Sequence, residues 1–169
     1  MTRDEPRYPR ADLELARRLE LTEGRANAAF VEARARLNPD LDATWIEVAG
    51  TFAMFDGVGS PLTQTFGLGL SDPVSDEHLR TLEDFFHSRG AQIHHEISPL
   101  AGVDLAGRLA DRGYRPVEFT SVLYRPTHVG LPEPVPESSP LGVRRIDASE
   151  ARSWAEVGAE GWSSEGEDL

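Results

Sequence analysis

The chain contains no cysteine and no lysine. Without cysteine there is no disulfide framework, no thiolate nucleophile and no Cys-based zinc site. Without lysine there is no Schiff-base or P-loop lysine, and all 17 basic residues are arginine. Long apolar runs are also missing. Stretches such as residues 49–55 end far short of the roughly 20 apolar residues that a membrane-spanning helix needs. Residues 1–10 are polar and charged, with no apolar signal-peptide region. Positive charge is scarce against 29 acidic residues, for a net charge of −12. That balance argues against nucleic-acid binding, where basic patches must neutralise phosphates. These exclusions point to a cytoplasmic protein with no nucleic-acid and no membrane partner. The acidic surface suits a solvated exterior, and it also suits a cationic partner such as an amine.

What is present is apolar content of 39% in 169 residues, enough for one domain of ordinary size and some additional chain. Residues 11–37 carry Leu13, Ala16, Leu19, Ala26, Ala29, Phe30, Ala33 and Leu37 at the three-and-four spacing of an amphipathic helix. Thr22 is a suitable N-cap, so the expectation is a short helix, a break near residues 21–23, and a longer helix that Asn38-Pro39 stops. Residues 44–48 and 51–55 read as strands joined tightly at Gly50. Turn chemistry makes residues 56–61 a loop, and residues 62–70 read as the next strand. Ser75 caps a helix reaching Ser88 that buries Leu79, Leu82, Phe85 and Phe86, and Gly90 closes it. Residues 92–97 read as a strand, 104–112 as a helix stopped by Gly113, and 116–125 as a strand rich in β-formers.

The fold class is therefore α/β in the α+β sense. It has a mixed sheet with antiparallel N-terminal strands, a βαβ crossover, a final helix and strand, and helices on both faces. Residues 1–125 form this domain. Residues 126–140 hold five prolines and read as an extended linker. Residues 141–169 read as the incomplete start of a second domain: a strand over 142–146, then a helix capped by Ser149 and ended by Gly161. So short a segment cannot bury a core unaided.

Several residues could carry chemistry. His94 and Glu96 share one face of their strand and His95 the other, but no third ligand is evident, so no metal site is expected. Glu47 and Glu96 are candidates for a base that deprotonates an amine, if either is buried beside the central strand. They also read as polar residues on a half-exposed sheet face. The loop at Gly59, Ser60 and Pro61 is either an acceptor-side wall or a plain hairpin connection. Gly57-Val58-Gly59-Ser60 precedes a strand rather than a helix, which excludes a dinucleotide fingerprint.

The run Leu105-Ala106-Gly107-Arg108-Leu109-Ala110-Asp111-Arg112-Gly113-Tyr114-Arg115-Pro116-Val117 resembles the last helix and following strand of the GNAT superfamily of N-acetyltransferases. In that family an apolar helix ends in Gly-Phe or Gly-Tyr and passes into a strand. The order of elements over residues 11–125 is similar to that family's, and Val143-Arg144-Arg145-Ile146-Asp147-Ala148-Ser149-Glu150 resembles the opening of a second such domain. The resemblance implies a tandem protein cut early in its second lobe. It implies acetyl-CoA as donor and a small-molecule amine or a peptide as acceptor. Backbone groups of the central strand would pair with the pantetheine arm, which places Gly67, Leu68, Gly69 and Leu70 at the cofactor. Glycines there permit close approach of a ligand, or of neighbouring chain.

The sequence departs from the family pattern at two points. The family's phosphate loop, Arg/Gln-x-x-Gly-x-Gly/Ala, is replaced by Ser71-Asp72-Pro73-Val74-Ser75-Asp76-Glu77-His78, whose acids repel phosphate and suit a helix N-terminus. A tyrosine general acid of the last helix is replaced by Leu109, and an asparagine at that helix's start by Gly102. The expectation is a lobe that is degenerate and non-catalytic within an acetyltransferase-related protein. The alternative is a non-enzymatic structural, dimerisation or substrate-shaping module, with an exposed edge strand favouring a homodimer.

Overall fold

The computed structural model describes residues 11–124 and 142–163, the side chains of 162 and 163 excepted. The chain divides into two units after Pro126. In the first, helix α1 spans Leu13–Leu37 without interruption, and the Asp12 carboxylate caps it by accepting from the Leu15 N–H at 2.8 Å. The expected break near residues 21–23 is absent. Thr22 does not cap; its hydroxyl donates back to the Arg18 carbonyl at 2.6 Å, a bond that lets threonine sit inside a helix. The flanking Leu, Glu, Arg and Ala are strong helix formers, and they carry the helix through.

Strands β1 (Thr44–Val48) and β2 (Thr51–Phe55) form an antiparallel hairpin. Ala49 and Gly50 both have positive φ, 49° and 70°, as a two-residue turn matched to strand twist requires. Strand β3 is only Thr65–Phe66, antiparallel to β2, so the sheet order is β1-β2-β3. The expected strand over 62–70 is cut short because Gly67 and Gly69 adopt φ 75°, a left-handed backbone that turns the chain out of the sheet. Helix α2, Asp76–His87, follows; Ser75 and His78 form a capping box at its start. Residues 92–97 reach the sheet through a single parallel bridge, Thr65 to His95, rather than a strand. Helix α3 is Val103–Asp111, one residue earlier at each end than the sequence suggested.

The sheet lies between two helical layers. Alternation along β2 sends Phe52 and Met54 toward α1, where they pack with Ala28, Val31 and Phe66. Ala53 and Phe55 point the other way, into a larger core with Leu79, Leu82, Phe85 and Phe86 of α2 and Leu105 and Leu109 of α3. Gly24 is the contact point of α1: a Cβ there would lie 2.8 Å from the Phe52 ring. The architecture is thus α+β, with a small three-stranded antiparallel sheet and four helices in the described residues.

The expected strand over 116–125 is not formed. Residues 116–124 adopt no regular structure and are exposed or half-buried, and Arg125 lies outside the described residues. So do residues 126–140, read above as a linker. In the second unit residues 142–146 form no strand. Helix α4, Ala151–Ser163, runs through Gly161. It is entered by a 3-10 turn over Ala148–Glu150 in which the Glu150 carboxylate accepts from the Asp147 N–H at 2.9 Å. Ser149 therefore lies inside that turn and is not the cap. Trp154 and Val157 stay mostly exposed, at 67% and 70%, as expected for a segment too short to cover its own apolar side chains.

Candidate functional site

A cluster of carboxylates lies where α1 meets the end of β3. Glu20 and Glu23, one helical turn apart, share a face of α1. A carboxylate oxygen of Glu20 accepts from the Gly67 N–H at 2.9 Å. Burial raises the Glu20 carboxyl above the usual carboxylate range; the Gly67 bond partly offsets this, and the Glu23 charge adds to it. Glu96 enters from the neighbouring segment, whose backbone is fixed by Glu96 N–H to Thr65 carbonyl and Thr65 N–H to His94 carbonyl, both 3.0 Å. Its carboxyl is also raised, first by burial and then by the charges of Glu23, Glu20 and Glu118. Three chain segments thus bring four carboxylates within mutual influence. Such a cluster holds a proton more readily than isolated glutamates and attracts cations.

Of the two candidate bases, Glu96 belongs to this cluster. Glu47 lies on β1, at the far edge of the sheet, opposite Phe52 and exposed. The Gly67 to Leu70 segment is a turn whose close neighbours are protein. A Cβ at Gly69 would lie 2.6 Å from Leu105, and Leu68 and Leu70 are buried. The backbone groups of its two end residues have internal partners: Gly67 N–H to Glu20, Leu70 N–H to the Gly67 carbonyl at 3.2 Å, and Arg17 Nε to the Leu70 carbonyl at 2.5 Å.

The N-terminus of α2 is likewise engaged by its own chain. His78 N–H donates to the Ser75 hydroxyl at 3.1 Å, and Ser75 N–H donates to His78 Nδ1 at 3.2 Å. Arg108 of α3 donates to the Val74 carbonyl and pairs with Asp76 at 2.7 Å. That guanidinium holds the Asp76 carboxyl below its ordinary value. Two of the amides there and the Arg108 guanidinium are thereby taken up. Leu109, at the general-acid position of the resemblance, is a core residue 3% exposed.

The neighbouring histidines differ. His94 is exposed, while His95 turns inward, its Nδ1 2.8 Å from the Thr65 hydroxyl and its ring 4.9 Å from Tyr114. Burial lowers His95 to about 4, against the opposing pull of Glu83, so the ring is neutral at neutral pH. Burial pushes Tyr114 up to about 12. Tyr114 donates to Glu83, which also pairs with Arg112 through two contacts. With Gln92 and His87 these residues line an open groove of about 670 Å³. Among the described residues no three His, Asp or Glu side chains are grouped so as to hold a metal ion. Nor is any helix there long and apolar enough to cross a membrane. Ser60 donates to Asp56 at 2.8 Å, and Asp56 pairs with Arg34 of α1 at 3.0 Å, so that loop is pinned to α1.

Sequence reasoning named Glu96 but missed Glu20 and Glu23. Their spacing on α1 was visible, but their approach to Gly67 and Glu96 depends on how α1 crosses the sheet. Comparison with protein-family models, with curated proteins and with solved structures finds no match.

Proposed function

We propose that the chain belongs to a cytoplasmic protein related to GNAT-type N-acetyltransferases, and that residues 11–124 are a lobe that does not itself transfer acetyl groups. The observation that carries this reading is the start of α2. A cofactor pyrophosphate needs free amides and a positive helix end. Here the amides of Ser75 and His78 are bonded within the capping box, and Asp76 and Glu77 stand in the first turn. The order of elements, two helical layers around an antiparallel hairpin and a crossover through α2, supports the kinship. Acetyl-CoA is then a cofactor of the intact protein, and the acceptor is an amine.

Within that protein the lobe serves as a structural, dimerisation or substrate-shaping module. The carboxylates of Glu20, Glu23 and Glu96 favour the substrate-shaping role, since they would attract a cationic amine. Titration calorimetry of the chain with acetyl-CoA tests the main reading. No heat of binding and no thermal shift are expected. A ligand present at 100 times its Kd would stabilise the fold by about 2.7 kcal/mol, so micromolar binding would be plain and would refute the reading.

A further inference from the structure

Residues 116–123 combine three properties. Their sequence, Pro116-Val117-Glu118-Phe119-Thr120-Ser121-Val122-Leu123, is rich in β-branched and aromatic residues. Among the described residues their backbone groups make no backbone hydrogen bond. Their apolar side chains stand in water: Val117 is 76% exposed, Phe119 92% and Leu123 92%. In an extended chain, alternation puts those three side chains on one face, with Ser121 between Phe119 and Leu123. Three large apolar groups in register on an unpaired strand make a surface that seeks another strand.

The segment is also complementary to itself. We infer that residues 116–123 of two copies of this chain pair as antiparallel strands about a two-fold axis at Thr120. In that register Val117 opposes Leu123, Phe119 opposes Ser121, Glu118 opposes Val122, and Thr120 opposes its own counterpart. The apolar face becomes continuous across the axis, and neither Glu118 meets a like charge, which directly opposed carboxylates would penalise. Pro116, which has no N–H to offer a ladder, falls at the strand's first residue, where proline is tolerated. The interface is isologous, with the same patch used on both subunits, as a closed dimer requires. Two chains of charge −12 repel one another, so association is apolar in origin and strengthens as salt screens that repulsion. The inference does not depend on the acetyltransferase reading.

Sedimentation equilibrium of the chain at low and high salt, paired with cross-linking, tests it. The wild type is expected to dimerise, more tightly at high salt. Phe119→Asp is expected to weaken association about tenfold or more. Val103→Asp, at an equally bare apolar residue of α3 that is 85% exposed, is expected to leave it unchanged. Neither side chain is in the core, so circular dichroism should match wild type for both. In this cysteine-free chain Thr120→Cys is expected to form a disulfide-linked dimer on mild oxidation. Opposed Cβ atoms are roughly 4.5–5.5 Å apart, close to a disulfide's reach. Glu118→Cys, whose counterpart would lie about 13 Å along the strand, is expected to cross-link far more slowly. A monomer under all conditions, a dimer indifferent to Phe119→Asp, or equal cross-linking at both positions would overturn the inference.

Discussion

Strand β2 and residues 116–123 are alike in sequence and opposite in fate. Both are apolar and rich in β-formers: Thr51-Phe52-Ala53-Met54-Phe55 in one, Val117, Phe119, Val122 and Leu123 in the other. Every residue of β2 is buried, with a strand on each side and a helical layer on each face. The second segment has no backbone-bonded strand among the described residues, and its apolar side chains are exposed. The difference teaches that β-propensity reports a readiness to fill a pleated, half-buried surface and not an intrinsic backbone choice. What β2 has and the other lacks is partners on two edges and two faces.

Core truncation breaks the comparison most strongly. Phe66, 1% exposed beside β2, packs with Phe52 and Met54. Phe66→Ala is expected to cost about 3–5 kcal/mol in urea denaturation. Phe119→Ala, measured at dilution, should stay within about 0.5 kcal/mol of wild type. The next effect comes from His95, held at about 4 by burial against an ordinary value of 6.5. The unfolded chain binds that proton first, so stability is full above pH 6.5 and falls as pH drops from 6.5 toward 4, by up to about 3 kcal/mol. His95→Gln should flatten this part of a pH–stability curve.

Gly69 tests the turn that ends β3. It has φ 75° and its Cβ would lie 2.6 Å from Leu105, so Gly69→Ala is expected to cost about 1–3 kcal/mol in thermal or urea unfolding. Gly113→Ala, at φ 91° with nothing near its Cβ, carries the backbone strain alone and should cost less. The smallest effect is at Glu96. Burial and the charges of Glu23, Glu20 and Glu118 raise its carboxyl. Its contribution is therefore lost as pH rises through its folded pKa, opposite in sign to that of His95. Glu96→Gln should slightly raise the melting temperature at neutral pH and leave acid stability unchanged.

What the sequence revealed follows the same division. The β1–β2 hairpin, the Ser75 start of α2 and the apolar residues it buries were legible because they depend on short-range periodicity and capping. The continuity of α1 was not, since the capping potential of Thr22 resembles a helix start until its hydroxyl is seen to bond Arg18. The strand expected over 62–70 shrinks to two residues because Gly67 and Gly69 use left-handed conformations that the apolar pattern does not signal. Residues 92–97 and 116–125 read as strands from local residue type alone, which cannot register whether a partner strand is present. At the candidate site Glu96 was legible as a titratable group on a strand-like segment. Its neighbours Glu20 and Glu23 are some seventy residues away in sequence and meet it only through the crossing of α1 over β3.

Amide hydrogen exchange followed against protein concentration compares the two segments directly. The β2 amides should be protected at every concentration. Those of residues 117–123 should exchange freely when the chain is dilute and become protected as concentration and salt rise, in step with dimer formation. Protection of residues 117–123 at the lowest concentration, or free exchange at the highest, would contradict the claim that these residues form a strand only when a second copy supplies its partner.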